Sequence, residues 1–269
     1  MIRLIATDLD GSLLPDDKKV PEDFFTLLPE LKKRGIYFFA ASGRTHQALT
    51  QNFSPVSEQI GYICENGAYV VHDGNILFSS TIKAIEISEI IKTVHMLPDV
   101  HLVLCGKKTA YMTVYPKKFD PHMESYHAVH ETITDYHSVK DDFFKLAICD
   151  LRGPENNSFP VLYEKFGKDF GMFISGKHWM DIMVKGVNKG QALSKVQKRL
   201  GILREETLAF GDYYNDIELL KQAGYGYVMK NATVDMKKNA KYVTSHTNNE
   251  NGVIKVVKKF LFGQSETQL

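Results

Sequence analysis

Carboxylates follow two of the strand-like stretches of this chain. Asp8 and Asp10 come directly after a short apolar run at the N-terminus, and Asp212 and Asp216 come after Thr207–Phe210. Because the ligands of a doubly wound sheet bind beyond the carboxyl ends of its strands, we expect these four side chains to lie close together. Two bare carboxylates about 4 Å apart repel by roughly 4 kcal/mol at an effective dielectric constant of 20. The pattern therefore predicts a bound cation, and an all-oxygen ligand set favours Mg²⁺.

Each acidic motif also has a purely local interpretation. The Asp-Gly pair after the first strand is ordinary turn chemistry, and Asp212 or Asn215 would serve as the N-cap of a following helix. A calcium-binding loop does not fit. The sixth and twelfth positions counted from Asp8 hold Leu13 and Lys19 instead of a glycine and a glutamate. The prediction of a shared site therefore depends on the two acidic motifs occurring together.

Two further segments carry groups that suit a phosphate. Ser42-Gly43-Arg44 ends a predicted strand and opens a predicted helix, so its hydroxyl, its free backbone amides and the helix dipole would bind an anion. A serine N-cap followed by a closely packed glycine explains the same residues equally well. Lys189, within Lys185–Gly190, would supply a fixed positive charge to a phosphoryl group, with an ordinary surface lysine as the alternative.

Strands and helices alternate at both ends of the chain but not in its middle. Short apolar strands are separated by helical patterns in the first 80 residues, and the alternation returns after Gly186. This order predicts an α/β fold with a Rossmann-like, doubly wound parallel sheet and right-handed crossovers. The middle of the chain predicts an inserted α+β domain. We expect a core of residues 1–81 and 186–269 and an insertion of residues 82–185.

The composition is that of a folded globular protein without excess charge. Its 269 residues are 43% hydrophobic, with 33 Lys and Arg against 32 Asp and Glu. A formal net charge of +1 does not support binding to nucleic acid or to a membrane surface. Three scattered cysteines form neither a disulfide framework nor a zinc signature, which suits a reducing compartment. With no signal-peptide pattern and no long apolar run, we expect a cytoplasmic protein. No obligate protein partner is evident from the sequence.

The four segments, in this order, resemble the motifs of the haloacid dehalogenase superfamily of phosphatases, and within it the Cof-type hydrolases. Asp8–Ser12 is similar to the first motif, Ser42 to the second, Lys189 to the third and Gly211–Asp216 to the fourth. The resemblance extends to shorter signatures at Glu65–Ala68, Val187–Gly190, Lys230–Ala232 and Asn248–Val253. The insertion is similar to the family's type-2 cap, which closes over the active site.

Two positions depart from the family pattern. Ser12 replaces a threonine that is usual there, although the hydroxyl is kept. Asn251 stands where an acidic residue is common, so no role is expected for it. The principal chemical positions are all filled, which favours an active enzyme.

The resemblance implies phosphoryl transfer through an aspartyl-phosphate intermediate. Asp8 would be the nucleophile without the help of a base, because a carboxyl with a reference pKa near 3.9 is ionised at neutral pH. Asp10 would be the general acid and then the general base, with a pKa raised by neighbouring carboxylates. The implied metal ligands are the Asp8 side chain, the Asp10 backbone carbonyl and Asp212, supported by Asp216. The implied contacts to phosphate are Ser42, Gly43, Arg44, Lys189 and Asn215, of which Ser42 and Lys189 would also stabilise the transferred group.

The expected function is Mg²⁺-dependent hydrolysis of small phosphorylated metabolites, with sugar phosphates as the expected substrates. A phosphomutase of hexose phosphates is the nearest alternative, because a related capped branch of the superfamily carries out that reaction. The compact fourth motif, Gly211–Asp216, favours the phosphatase, since the mutase branch tends to have a longer and glycine-richer motif there. A non-catalytic phospho-ligand-binding protein is the remaining alternative.

Overall fold

The structure is a computed structural model that describes residues 1–127 and 130–263. The contacts within the chain divide it into two units. One unit comprises residues 1–79 and 188–269, and the other comprises residues 80–187. No helix of the described residues is long and apolar enough to cross a membrane.

Within the described part of the chain, the unit that contains both chain ends is built on one eight-stranded sheet. In spatial order its strands are β14 (Tyr242–Val243), β13 (Tyr225–Val228), β12 (Thr207–Gly211), β1 (Leu4–Asp8), β2 (Tyr37–Ala41), β3 (Gly61–Cys64), β4 (Tyr69–His72) and β5 (Asn75–Ser79). The strands from β14 to β3 are parallel, and β4 and β5 add an antiparallel hairpin at one edge. The strand order reverses at β1, because the chain continues through β2 on one side and returns with β12 on the other. Such a switch point is where open α/β sheets bind their ligands.

Helices cover both faces of this sheet. They are α1 (Glu22–Lys33), α2 (His46–Asn52), α6 (Lys189–Leu200), α7 (Ile217–Gln222), α8 (Val234–Lys237) and α9 (Gly252–Phe262). Phe24 of α1 packs on Phe38 of β2, with ring centroids 4.8 Å apart. The next residue, Phe39, points to the opposite face and joins a core with Leu193 of α6 and Leu220 of α7. This arrangement is the doubly wound α/β fold that the sequence predicts.

The second unit contains a six-stranded sheet among its described residues. In spatial order the strands are β10 (Phe170–Gly176), β11 (Trp179–Val184), β9 (Phe143–Asp150), β6 (Val100–Gly106), β7 (Ala110–Thr113) and β8 (His130–Ile133). All neighbours are antiparallel except β7 and β8. The helices α3 (Ala84–His95) and α5 (Ser158–Phe166) pack on one face through Ile90 and Leu162. The other face packs against Phe119 and against Met123 of α4 (Asp120–His127), so this unit has the α+β character expected of the insertion.

A buried ion pair connects two strands of the second unit. Nζ of Lys145 in β9 lies 3.6 Å from Oδ2 of Asp181 in β11, and the two side chains are only 7% and 6% exposed. Burial raises the pKa of the Asp181 carboxyl, and the charge of Lys145 opposes that effect. Removal of one partner from such a pair leaves a buried charge without compensation, which is more damaging than removal of both.

Lys145→Met is therefore expected to lower the free energy of unfolding by about 3–5 kcal/mol at neutral pH. When a carboxyl has a higher pKa in the native state than in the unfolded state, the protein loses stability as the pH rises from the unfolded pKa to the native pKa. The deficit of the variant should thus be larger at pH 7 than at pH 5, because the lower pH favours the protonated form of Asp181. Urea unfolding of the variant and of wild type at both pH values measures this deficit in the free energy of unfolding.

The exposed Lys177 provides the matched control for this variant, since Lys177→Met removes a charge that is already in water. Lys145→Met combined with Asp181→Asn should recover part of the loss. A deficit independent of pH, or a double variant less stable than Lys145→Met alone, would contradict the role of the ion pair.

Candidate active site

The carboxyl ends of β1 and β12 bring two of the predicted metal ligands together. Asp8 is the last residue of β1, and Asp212 directly follows β12, which pairs in parallel with β1. Gly11 has a φ of +80°, and a Cβ atom there would lie 2.3 Å from Oδ2 of Asp212. Only glycine therefore lets the loop after β1 approach this carboxylate so closely. The Ser12 hydroxyl donates a hydrogen bond to Oδ1 of Asp212 over 3.4 Å.

Lys189 is the cation at the centre of the acidic residues. It is the first residue of α6, and its side chain is fully buried. Its Nζ donates to Oδ1 of Asp8 and to Oδ1 of Asp216, over 2.6 Å in each case. Burial acts against the charged form, but the two carboxylates outweigh it and raise the pKa of Lys189 above its ordinary value. The Asn188 side chain caps α6 by accepting a hydrogen bond from the backbone N–H of Gln191, so the start of the helix is fixed.

Asp216 connects this lysine to the turn after β12. The residue is fully buried, and its Oδ2 accepts hydrogen bonds from the backbone N–H groups of Asp212 and Tyr213, over 3.1 and 3.3 Å. Its other oxygen accepts from Lys189. One carboxylate thus holds both the ammonium group and the backbone that carries Asp212.

The acidic residues leave room for a further positive charge. Asp8, Asp212 and Asp216 each offer an oxygen atom, and these atoms lie within 4.8 Å of one another. With one ammonium among three carboxylates, the group has an excess of negative charge. Burial, followed by the charge of Asp216, raises the pKa of Asp8 well above its ordinary value and the pKa of Asp212 to about 6. A divalent cation would offset this repulsion, and the all-oxygen donor set suits Mg²⁺.

The environment of Asp8 differs from that of an isolated carboxyl. The sequence suggests that Asp8 is ionised simply because an isolated carboxyl has a low pKa. Burial raises the pKa of Asp8, so its ionisation depends instead on the neighbouring ammonium of Lys189 and on the positive charge that the acidic residues can bind.

Asp10 lies in the opposite electrostatic environment. Arg44 donates to both oxygens of its carboxylate, from Nη2 over 2.6 Å and from Nε over 3.0 Å, and Nζ of Lys18 lies 2.9 Å from Oδ1. Burial alone would raise the pKa of Asp10, but these two cations outweigh it, so the pKa is lowered. The expectation of a raised pKa is therefore wrong for this structure, because the carboxylate is paired with cations and not with its acidic neighbours.

The segment Ser42-Gly43-Arg44 does not begin a helix, contrary to the prediction. The helix α2 begins at His46, and its N-cap is Thr45, whose hydroxyl accepts a backbone hydrogen bond. Ser42 is buried, and its Oγ accepts from the backbone N–H of Arg44 over 3.2 Å. The serine therefore stabilises its own turn, while the threonine three residues later takes the capping position.

Two residues that the sequence analysis did not assign to the site hold its predicted members in place. Oδ1 of Asn52, in α2, accepts from Nη1 of Arg44 over 3.1 Å. Oδ1 of Asn66, in the turn after β3, accepts from Nδ2 of Asn215 over 3.2 Å and lies 3.1 Å from the place of a Cβ at Gly43. Asn66 lies in the Glu65–Ala68 signature, so the family resemblance could have identified it as a residue of the site. Nothing in the sequence distinguishes Asn52 from an ordinary helical asparagine.

Two other short signatures support the loop after β1. Nδ2 of Asn231 donates to the carbonyl oxygen of Gly11 over 2.8 Å, and its Oδ1 accepts from the backbone N–H of Asn248 over 3.1 Å. Nδ2 of Asn248 donates in turn to the carbonyl oxygen of Leu14 and to Oδ1 of Asp16, over 3.1 and 3.0 Å. These signatures therefore position the loop that follows the first motif.

Comparison with known proteins places this chain in a family. The profile of the haloacid dehalogenase-like hydrolases matches residues 5–257. The 5-amino-6-(5-phospho-D-ribitylamino)uracil phosphatase YbjI of Escherichia coli K12 is 33% identical over 268 residues, which cover 97% of this chain and 96% of that protein. A Bacillus subtilis phosphatase named for the same substrate, YitU, is 26% identical over 265 residues, covering 96% and 97%. A solved structure from Streptococcus mutans UA159 has a TM-score of 0.86 at 29% identity, covering 97% of this chain and 99% of that one.

The fold and these matches together define an enzyme that hydrolyses phosphate esters. The chain belongs to the haloacid dehalogenase-like hydrolases. The predicted family, fold class and enzyme class are confirmed. The roles of individual residues, the metal and the substrate stay predictions.

Lys189→Met is expected to lower the free energy of unfolding by about 3–5 kcal/mol, because it leaves two buried carboxylates facing each other without a cation. Chemical denaturation of the variant and of wild type measures the difference. Lys198→Met, at an exposed position of the same helix, is the matched control. If both variants lost the same small amount of stability, the buried lysine would not have the structural importance assigned to it.

Arg44→Met is expected to lower kcat/KM about 10- to 100-fold, because the free protein loses the two hydrogen bonds that orient the Asp10 carboxylate and the substrate loses a cation for its phosphate. Asn52→Ala should lower kcat/KM less, since it removes only one hydrogen bond from the guanidinium. Steady-state kinetics with a hydrolysed phosphate ester measure both effects, with the exposed Arg199→Met as the control. A raised KM at unchanged kcat would instead assign Arg44 to phosphate binding alone.

Proposed function

We propose that the protein is a Mg²⁺-dependent phosphatase that hydrolyses small phosphorylated metabolites through an aspartyl-phosphate intermediate on Asp8. The observation that carries the proposal is the buried contact of 2.6 Å between Nζ of Lys189 and Oδ1 of Asp8. This contact sets a carboxylate beside a fixed positive charge, at the carboxyl end of a central strand where ligands of this fold bind. The charge would let the carboxylate approach a negatively charged phosphoryl group.

In this proposal the cation is held by the Asp8 and Asp212 side chains and by the backbone carbonyl of Asp10. Bound Mg²⁺ would supply positive charge that reduces repulsion between nucleophile and phosphate and stabilises the transferred group. Asp216 would support the ligands indirectly, through its hydrogen bonds to Lys189 and to the backbone N–H of Asp212.

The reaction would proceed in two displacements. In the first, an oxygen of Asp8 attacks phosphorus, the bond from phosphorus to the leaving oxygen breaks, and Asp10 gives that oxygen a proton. In the second, the Asp10 carboxylate takes a proton from water, the water oxygen attacks phosphorus, and the bond to Asp8 breaks to release inorganic phosphate. The phosphoryl oxygens would be bound by Ser42, Gly43, Arg44, Lys189 and Asn215.

The proton on Asp10 needs an explanation, because Arg44 and Lys18 hold its pKa low. The ionised form suits the second displacement, in which Asp10 is a base. For the first displacement, the guanidinium of Arg44 would exchange the Asp10 carboxylate for the phosphate of the substrate. Binding of substrate would thus remove the strongest partner of Asp10 and allow it to carry a proton.

The proposed substrates are phosphate esters of sugars or sugar alcohols. YbjI and YitU are named for a compound with a phosphorylated ribityl chain, and a ribityl chain is a sugar alcohol. Residues 80–187 would be the substrate-selecting cap that the family resemblance implies. A cytoplasmic location is proposed on the three cysteines, Cys64, Cys105 and Cys149, which are all buried free thiols.

Asp8→Asn is expected to lower phosphate release at least about 1000-fold, because it removes the nucleophilic carboxylate while keeping the size of the side chain. The substrates are a panel of sugar phosphates, nucleotides, pyridoxal phosphate and flavin mononucleotide, each with and without Mg²⁺. Asp235→Asn, at an exposed aspartate of α8, is the control. Wild type and the control should release phosphate only when Mg²⁺ is present.

Three results would contradict the proposal. Full activity of Asp8→Asn would exclude this residue as the nucleophile. Interconversion of hexose phosphates with little free phosphate would indicate a mutase. Binding of phosphate esters by wild type without turnover of any of them would indicate a binding protein.

A further inference from the structure

Two adjacent tyrosines are exposed on the turn after β12. Tyr213 and Tyr214 directly follow Asp212, and they are 56% and 48% exposed. Their rings meet edge to face, with centroids 5.2 Å apart and an angle of 72° between the planes. The ring of a tyrosine in a protein core is mostly shielded from water, whereas these two side chains are about half exposed. The pair therefore offers aromatic surface to solvent next to the acidic residues.

The backbone that carries these rings is fixed by the charged residues of the site. Oδ2 of Asp216 accepts from the backbone N–H of Tyr213, and the carbonyl oxygen of Tyr213 accepts from the N–H of Asp216 over 3.0 Å. Tyr214–Asp216 forms a single turn of 3₁₀-helix. Because Asp216 also holds Lys189, the turn is anchored at the place where the proposed chemistry occurs. The rings thus stand on a defined backbone next to Asp212.

We propose that Tyr213 and Tyr214 form an aromatic platform that stacks on a planar ring in the leaving group of the substrate. The proposal rests on the proposed function, since it takes the acidic residues around Asp8 as the place where the phosphate binds. The preferred substrates are then phosphate esters whose sugar or sugar-alcohol chain also carries a planar heteroaromatic ring.

A planar ring fits this platform better than a saturated chain does. Aromatic rings attract one another in stacked or edge-to-face arrangements, beyond the effect of the buried area alone. Tyrosine stacking is tolerant of the identity of the partner ring, since every heteroaromatic base has a π-face. A polyol chain lacks an extended π-face, so it gains less from an aromatic ring than a planar heterocycle does. Stacking on the ring of the leaving group does not involve the bond that breaks, so it contributes to ground state and transition state alike and should act on KM more than on kcat.

The test compares flavin mononucleotide, a ribityl phosphate with a planar ring, with ribose 5-phosphate, which has none. Changing both Tyr213 and Tyr214 to alanine should raise KM for flavin mononucleotide about ten-fold or more, while kcat changes less than about two-fold. KM for ribose 5-phosphate should change less than about two-fold in the same variant. Changing both residues to phenylalanine should preserve the wild-type KM, because the rings remain. Equal changes for the two esters, or no change for either, would overturn the proposal.

Binding of flavin mononucleotide provides a second readout that does not need turnover. Tyrosine stacking quenches flavin fluorescence, so a titration in the Asp8→Asn background measures affinity directly. The paired alanine changes should weaken this binding about five-fold or more, and the phenylalanine changes should not. Unchanged binding in the alanine variant would overturn the platform. Phe262→Ala, at an aromatic residue that is 43% exposed in α9, is the matched control and should bind like wild type.

The two proposals fail in different ways. If wild type releases phosphate from no ester of the panel, the proposed function fails, and the fluorescence titration still decides whether the platform binds the ring. If wild type hydrolyses both esters and the alanine variant treats them alike, the phosphatase proposal holds and the platform is wrong.

Discussion

The buried ammonium of Lys189, held between Asp8 and Asp216, is the contact on which the rest of the site depends. Charges removed from water cost several kcal/mol each, and only close partners with further hydrogen bonds offset that cost. The three residues come from the end of β1, the start of α6 and the turn after β12, which are distant in sequence. The switch point of the doubly wound sheet brings these segments to one edge, so the fold itself supplies the required geometry.

The two aspartates of the first motif show how strongly local partners determine charge. Only one residue separates Asp8 from Asp10, yet burial raises the pKa of the first, while Arg44 and Lys18 outweigh burial and lower the pKa of the second. The strand ends at Asp8, and the turn that follows points Asp10 towards the cations. Carboxylates with opposed environments commonly take different catalytic roles. Arg44 and Lys18 favour the ionised form of Asp10, so the proposed role of general acid requires a substrate that competes for these cations.

The strands that carry the candidate site residues could be predicted from the sequence. The hydrogen-bond partners of long side chains could not. Asp8 and Asp212 follow buried strands, and the parallel pairing of β1 with β12 decides where they lie. Arg44 has several rotatable bonds and several possible acceptors, so sequence alone does not separate a carboxylate partner from a phosphate. The start of α2 was misplaced because Ser42 and Thr45 are both good capping residues. The helix Asp120–His127 lacks a clear apolar stripe, so its sequence does not indicate it.

The proposed chemistry and the choice of leaving group are separable in this chain. Among the described residues, the charged partners of Lys189 and Asp10 all come from the unit of residues 1–79 and 188–269. Tyr213 takes part in both. Its backbone N–H donates a hydrogen bond to the buried Asp216, while its side chain is exposed. A substitution there changes an exposed side chain and leaves the buried charges in place. Changes in the insertion or in the rings of this turn would therefore leave the charged partners of Lys189 in place.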